Sequence, residues 1–220
     1  MKKYIGILFL FLIFSGCSLR LSQGPAPGDG FSRVGFLGFM VPVISPQGQV
    51  LVQEPIGGTH HYAEYVPPEI REELETMLWE ELTKKYKMEF LSVDQLRPAF
   101  AVELAKGYGK NALQVLVDLG KANSLDALIV GHVYRFKERE GSDFAVASPA
   151  SISFDLFLID VGKKTVVSKS LVDWTQRSLS ENLLGIKDFK VSGFKWAKVR
   201  TLARASIERA LKDILGPPQE

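Results

Sequence analysis

Three histidines, His60, His61 and His132, are the side chains most able to bind a metal ion in this sequence. His60 and His61 are adjacent, so on a strand they would point to opposite faces. None of the three belongs to a His-x-x-x-His pair, and the single cysteine, Cys17, is distant in sequence. Protein zinc sites draw three or four ligands from recurring spacings. The sequence therefore predicts no metal site, and His60 and His61 are candidates for an interaction surface.

Residues 107–112, with the sequence GYGKNA, superficially resemble a phosphate-binding loop that opens a helix. A dinucleotide-binding fingerprint needs a hydrophobic strand before this loop, so that the loop and the helix N-terminus meet the pyrophosphate. No such strand precedes residue 107. We therefore interpret the segment as a linker followed by a helix start, and we expect no bound cofactor.

The motifs of enzyme nucleophiles are missing from the sequence, which contains neither a Gly-x-Ser-x-Gly elbow nor a Walker motif. Asp155, Asp160 and Asp173 lie on or beside a predicted hairpin, and paired carboxylates can perform acid–base chemistry. The alternation of that hairpin favours solvated strand faces for these side chains, and a half-buried position near a sheet end for His132. The sequence therefore predicts that the protein is not an enzyme.

The N-terminus offers a different chemistry, carried by the thiol of Cys17. Two lysines begin the chain, an apolar run covers residues 4–14, and two small residues precede Cys17. This order is that of a secretory signal peptide, assigned here to residues 1–16. As a helix, the apolar run is only about 16 Å long, and a hydrocarbon core is about 30 Å thick. The run is therefore too short for a stable membrane span.

The residues Phe14-Ser15-Gly16-Cys17 resemble the lipobox of bacterial lipoproteins, although Phe14 stands where leucine is preferred. The resemblance implies that Cys17 is acylated, with palmitate as one of its chains, and becomes the first residue of the mature protein. Three acyl chains would hold the protein on the membrane permanently, whereas one chain binds only marginally. Ser18 in place of aspartate implies the periplasmic face of the outer membrane. The alternative is that Cys17 is merely a small residue at an ordinary cleavage site.

Composition and charge restrict the class of partner. The 220 residues are 46% hydrophobic and 24% charged, which is typical of a globular protein and excludes general disorder. The 27 basic side chains include Lys2 and Lys3, so removal of the signal would leave 25 basic against 25 acidic side chains. Such a balance does not supply the cationic surface that nucleic acids require. We expect no nucleic-acid partner, and one cysteine excludes an internal disulfide.

The segments divide the chain into four parts. Residues 17–30 are the lipidated N-terminus and a flexible tether, because residues 18–30 contain five Gly or Pro and no hydrophobic periodicity. Residues 31–216 form a single globular domain, and residues 217–220 form a tail. Fully extended, the tether would reach at most about 40 Å from the lipid.

Residues 178–198 are a second candidate interaction surface, because apolar and aromatic side chains alternate there with four lysines. Aromatic rings beside lysines suit a lipid interface or a partner protein. The alternative is that these residues simply pack a crossover against the sheet. The candidate contact residues in this segment are Phe189, Phe194 and Trp196.

Hydrophobic periodicity predicts the elements that must position these residues. Strands are expected at 31–43, 88–93, 126–136, 150–160 and 165–175, the last two forming a hairpin, with residues 152, 154, 156 and 158 on its inner face. Helices are expected at 68–86, 111–122 and 196–215, with a single helical turn at 94–97 that Pro98 stops. Residues 45–67 are expected to be a long loop in which 49–53 could form a short strand. The predicted fold is α/β (α+β), with a mixed sheet of about four to five strands and helices packed on it.

This arrangement resembles periplasmic lipoproteins with the fold of the TolB N-terminal domain, a group that includes CsgG, PelC and LpoB. The motifs that carry the resemblance are DALIVGHV at 126–133, FDLFLID at 154–160 and KKTVVS at 163–168. Unlike CsgG, the sequence has no evident pair of long membrane-spanning strands, which argues against a pore.

The resemblance implies a non-enzymatic outer-membrane lipoprotein that serves as a scaffold or assembly component of a cell-envelope export or cell-wall complex. Its expected partners are the membrane, through the anchor, other envelope proteins, and further copies of the chain in a homo-oligomeric ring. The alternative is a periplasmic binding module for a small ligand or glycan, which would use the aromatic residues Tyr62, Tyr65 and Trp79.

Overall fold

The computed structural model describes residues 26–142, 146–176 and 196–218. The acylation predicted at Cys17, the signal peptide and the candidate contacts Phe189 and Phe194 lie outside these described residues. The described residues form nine strands and four helices, in this order: β1 Arg33–Met40, β2 Val50–Gln53, β3 His60–Ala63, α1 Pro68–Lys85, β4 Glu89–Leu91, α2 Val93–Lys106, α3 Ala112–Ala122, β5 Ala127–Lys137, β6 Glu140–Gly141, β7 Val146–Ser148, β8 Ser151–Asp160, β9 Thr165–Thr175 and α4 Val199–Leu215.

Five of the strands form one mixed sheet in the order β4-β1-β5-β8-β9. The strand β1 runs parallel to both β4 and β5, whereas β8 runs antiparallel to both β5 and β9. Two small antiparallel hairpins, β2–β3 and β6–β7, complete the strands. The fold is therefore α+β, and the prediction of a mixed sheet of four to five strands with helices packed on it is confirmed.

The two faces of the sheet have different covers. On one face, α1 and α4 enclose the larger core, which contains the side chains of β8 at positions 152, 154, 156 and 158, as predicted. On the other face, Leu128, Val130 and Ile159 pack with leucines of α3 and with Leu96 of α2. Beyond α3, the β2–β3 hairpin continues this second cover, and its Ile56 joins the same cluster. All ten residues of β8 are consequently buried.

A bulge in β1 shapes the sheet next to α1. The register between β1 and β5 shifts between Phe36 and Phe39, and Gly38 adopts a φ of 90° at this point. A Cβ at Gly38 would lie 2.4 Å from Glu75 Oε1, so a larger residue would not fit. The bulge turns the Phe39 N–H toward Glu75 Oε1, at 3.0 Å. Glycine at position 38 thus allows a buried carboxylate of α1 to bind the backbone of β1.

The prediction of a single turn ended by Pro98 was wrong, because α2 continues to Lys106. Proline in a helix removes one hydrogen bond and crowds the carbonyl four residues earlier, so its cost is lowest near the N-terminus. Pro98 lies in the second turn of α2, and the helix start is fixed by the Ser92 N–H, which donates to Gln95 Oε1 at 2.8 Å. No described helix is both long and apolar enough to cross a bilayer.

Candidate functional site

The β2–β3 hairpin lies over the second face of the sheet and brings polar side chains beneath it. Its strands pair from Val50 with Ala63 to Gln53 with His60. Residues 54–59 form the tip, which is closed by the Glu54 N–H donating to the Thr59 carbonyl at 2.8 Å. The prediction of a strand at 49–53 is confirmed, whereas β3 replaces what was expected to be loop.

Glu54 turns its carboxylate into the protein from this tip. The side chain accepts the N–H groups of Ile56, at 2.6 Å, and Gly57. Although only 1% of Glu54 is exposed, its Oε1 lies 3.6 Å from His132 Nδ1 on β5. The backbone of the tip thus satisfies a buried carboxylate that also faces an imidazole.

Asp155, in the middle of β8, is the second buried carboxylate, with 0% exposure. His61 Nε2 lies 2.8 Å from Asp155 Oδ2, within ion-pair distance but outside hydrogen-bond geometry. The Tyr134 hydroxyl donates to the same oxygen at 3.2 Å. The rings of His61 and Tyr134 stack, with centroids 3.9 Å apart and planes 6° from parallel. The expectation that Asp155 lies on a solvated strand face was therefore wrong, because the hairpin covers that face.

We call the five side chains beneath the hairpin the latch cluster. Glu54 and His61 come from the hairpin, whereas His132, Tyr134 and Asp155 come from the sheet. The register places His132 directly opposite Asp155, so these two residues share one face. Phe157 closes the cluster on the sheet side by packing edge-to-face with His132, at a centroid distance of 6.1 Å.

Burial shifts the protonation equilibria of the latch cluster. Burial raises the pKa of Asp155 to about 6, against the opposing effects of His61 and the Tyr134 hydrogen bond. Burial lowers the pKa of His132, although the nearby Glu54 carboxylate favours its protonated form. Burial and the neighbouring carboxylates raise the pKa of Tyr134, which keeps its phenol protonated. Removal from water is the main cause in each case, because it disfavours the charged form.

The latch cluster leaves several polar atoms unpaired. Among the described residues, both ring nitrogens of His132 and Oδ1 of Asp155 have no hydrogen-bond partner. The expectation of a half-buried, hydrogen-bonded His132 was therefore wrong, since only 5% of this residue is exposed. A buried polar group without a partner costs about 1–3 kcal/mol. The unpaired atoms of His132 and Asp155 therefore cost free energy where the hairpin covers the sheet.

In this structure a substrate cannot contact His132, Tyr134 or Asp155, because all three side chains are buried beneath the hairpin. In the described part of the chain, no group of three or more His, Cys, Asp or Glu side chains is placed to hold a metal ion. The arrangement instead attaches the hairpin to the sheet through charge and stacking.

The outer face of the hairpin has the opposite character. Leu51 and Tyr62 are cross-strand partners there, exposed to 55% and 61%. His60 is also exposed, whereas its neighbour His61 points inward. Trp196, the other candidate contact within the described residues, is partly exposed just before α4. The structure thus separates His60 from His61 and brings His61 together with His132.

Sequence reasoning missed two members of the latch cluster, Glu54 and Tyr134, and it placed a third, Asp155, on a solvated strand face. A signal was present, because β8 carries polar residues at 151, 153 and 155, and its other residues up to Ile159 are apolar. A polar strand face indicates either solvent or a polar cover. The choice between them depended on the position of the long segment 45–67, which strand periodicity does not specify.

A second polar site lies between α1 and the start of α2. Here Arg97 Nη2 lies 3.0 Å from both oxygens of Glu75. An adjoining open cavity of about 350 Å³ is lined by Trp79, Asp94 and Ser92, among others. Trp79 packs edge-to-face with Phe90 of β4, while Tyr62 and Tyr65 belong to the hairpin and the segment after it. The three aromatic residues of the proposed binding module therefore come from two different regions of the fold.

The GYGKNA segment is the linker that the sequence predicts. It joins α2 to α3, and the Asn111 side chain accepts the Gln114 N–H at 2.9 Å as the N-cap of α3. Lys110, which would be the phosphate ligand, lies 2.7 Å from Asp118. A shallow cavity of about 610 Å³ beside this helix start is also bordered by Lys121 and Lys164.

Neither a family model nor a curated protein sequence matches this chain. Among solved structures, the PelC dodecamer from Paraburkholderia phytofirmans is similar, with 14% identity, 88% of this chain and 94% of that chain covered, and a TM-score of 0.45. The hypothetical protein CT253 from Chlamydia trachomatis has 13% identity, coverages of 81% and 91%, and a TM-score of 0.44. The LpoB C-terminal domain from Salmonella enterica has 12% identity, coverages of 70% and 87%, and a TM-score of 0.35.

PelC and LpoB are both members of the group that the sequence resembles. All three identities are below 25% and all three TM-scores are below 0.5. Likenesses of this size do not establish a family, and they decide nothing about what this chain binds or how it assembles.

Proposed function

We propose that this protein is an outer-membrane lipoprotein, facing the periplasm, that acts as a non-enzymatic scaffold in a cell-envelope export or cell-wall complex. The observation that carries the proposal is the position of Cys17. The single cysteine of the chain follows Ser15 and Gly16 at the end of a short apolar run, where lipoprotein processing requires a thiol. An anchored chain that presents an apolar surface is suited to holding other proteins at a membrane.

The two ends of β1 support this arrangement of anchor and contact surface. The described chain begins next to the end of α4, where Ala26 lies against Gly216 and Gly28 lies against Leu215. Residues 26–28 come before β1 in the chain, whereas the segment that leads to the hairpin comes after β1. Eight strand residues span about 26 Å. The tether therefore approaches one end of β1, and the segment that leads to the exposed pair Leu51 and Tyr62 leaves from the other end.

Metabolic labelling with a palmitate analogue tests the anchor. The wild-type protein should be labelled and should fractionate with the outer membrane, while Cys17→Ser should lose the label. Ser15→Ala is the matched control, because it keeps a small residue before the cysteine and should retain the label. A processed but unlabelled wild type would instead support ordinary signal cleavage and contradict the proposed anchor.

We further propose that copies of the chain assemble into a homo-oligomeric ring. The intact mass of the detergent-solubilised native assembly tests this point, and a lipid-bearing multimer is the expected result. A mass of one protomer over a wide concentration range, with and without detergent, would contradict the ring.

The alternative function, a binding module for a small ligand or glycan, is favoured by the exposure of Tyr62 and Tyr65, since exposed tyrosines can stack on sugar rings. Melting temperatures measured against a panel of cell-wall and polysaccharide fragments test this alternative. A ligand that binds only the folded state raises the melting temperature by mass action. The absence of any shift across the panel would remove this function from consideration.

A further inference from the structure

The β2–β3 hairpin is structurally separate from the sheet that it covers. Within the described part of the chain, its strands pair only with each other, in a two-stranded sheet of their own. A backbone hydrogen bond from the Glu64 N–H to the Tyr134 carbonyl, at 2.7 Å, joins the end of the hairpin to β5. Local opening of a segment needs little free energy when few bonds tie it to the rest of the fold.

The segments on both sides of the hairpin can act as hinges. Residues 41–49 and 64–67 contain neither helix nor strand. Gly48, in the first of these segments, adopts a φ of 100° and has open space around it. Val43 in the same segment is fully exposed, so this segment is not packed into the core at that point. Val41 and Val66 pack with the larger core and mark the fixed ends of the two segments. Rotation at residues 42–49 and 64–65 could lift the hairpin without disturbing a strand of the main sheet.

The underside of the hairpin carries polar contacts where a permanent cover would be wholly apolar. Its contacts with the sheet include the His61–Asp155 ion-pair contact, the His61–Tyr134 stack and the approach of Glu54 to His132. Apolar packing on this side comes from Ile56 at the tip and from Ala63, which is fully buried. The unpaired atoms of His132 and Asp155 would gain water on opening, which offsets part of the lost contact.

We propose that the β2–β3 hairpin is a flap that opens and closes over the sheet, with the latch cluster as its fastening and residues 42–49 and 64–65 as its hinges. Opening exposes both faces of the hairpin and the sheet positions His132, Tyr134 and Asp155. The closed and open states then present different surfaces to a partner protein. This inference concerns the folded domain and does not depend on the lipid anchor.

Amide hydrogen exchange of the mature chain in detergent tests the flap. The amides of β2 and β3 should exchange faster than those of β5 and β8, through an opening that leaves the main sheet intact. In His61→Ala the hairpin loses both the contact with Asp155 and the stack on Tyr134. We expect at least a tenfold increase in exchange at β2 and β3, with unchanged exchange in β5, β8 and α1.

His60→Ala is the matched control, because it removes an exposed imidazole from the adjacent position of the same strand. It should leave hairpin exchange within about twofold of wild type, as surface substitutions usually have little effect. Tyr134→Phe keeps the aromatic stack but removes the hydroxyl, and should give an intermediate increase. The flap is refuted if the hairpin amides exchange no faster than those of β8 in the wild type. It is equally refuted if His61→Ala accelerates β5 and β8 as much as the hairpin.

Discussion

Asp155 is a carboxylate that the fold removes completely from water while leaving one of its oxygens unpaired. Because its pKa is raised to about 6 in the folded protein, the native state binds a proton at this site more tightly than the unfolded chain does. The stabilisation from this group is therefore complete below about pH 4 and is lost as the pH rises through about 6. Above this range the fold must hold a buried charge.

Asp155→Asn should remove this pH dependence. Relative to the variant, the wild type should lose about 2 kcal/mol of unfolding free energy between pH 4.5 and 7.5, since one pKa unit corresponds to about 1.4 kcal/mol. Urea denaturation of both proteins across this range measures the difference. A constant difference would contradict the raised pKa.

The titratable and charged groups around Asp155 are the other groups that could change the pH dependence of the unfolding free energy. Glu54 and His61 face it from the hairpin, and His132 and Tyr134 face it from β5. Farther along the same face, Arg135 is paired with Asp173, and Lys169 on β9 is exposed. His132 acts with the opposite sign, because its lowered pKa gives stabilisation that is present above about pH 6.5 and is lost as the pH falls. Asp173→Asn, at an exposed carboxylate, is the matched control and should not reproduce the effect.

The helix α3 illustrates how far local sequence specifies an element. Asn111 and Gln114 bind each other's backbone N–H groups, at 2.9 Å in both directions, and so fix the first turn. Asn111→Ala should lower the unfolding free energy by about 1 kcal/mol, whereas Asn111→Gly should cost only a few tenths, because glycine is tolerated at an N-cap. The denaturant midpoints of the two variants show which substitution causes the larger loss of stability. Equal losses would show that the side chain does not act as a cap.

The elements that sequence periodicity predicted are those whose own residues decide their structure. The helix α1 and the strands β5, β8 and β9 were found where the apolar spacing placed them. The extension of α2 past Pro98 was not predicted, because a proline usually indicates a helix end. In the structure the helix begins earlier, at the cap formed by Ser92, and Pro98 lies near its N-terminus. The latch cluster could not be predicted either. It requires the hairpin and two strands to meet on one face, although His132 and Asp155 lie 71 and 94 positions after His61 in sequence.

At the scale of the whole molecule, the proposed scaffold needs an apolar surface that remains exposed after the domain has folded. Leu51 and Tyr62 provide one, because they pair across the hairpin while both remain more than half exposed. Exposed apolar side chains that lie together indicate contact with another protein more strongly than scattered ones do. On this basis the outer face of the hairpin is the contact through which copies of the chain would join.

Replacing both residues, in Leu51→Ser with Tyr62→Ser, should therefore shift the native mass of the detergent-solubilised protein from a multimer toward one protomer. The domain itself should keep its melting temperature within a few degrees, because neither side chain belongs to the core. Leu104→Ser is the matched control, since Leu104 is 53% exposed on α2 and belongs to neither core cluster. If the double variant keeps the wild-type multimer, assembly uses another surface. If Leu104→Ser dissociates the multimer instead, that surface includes α2, and the hairpin is left free to move as a flap.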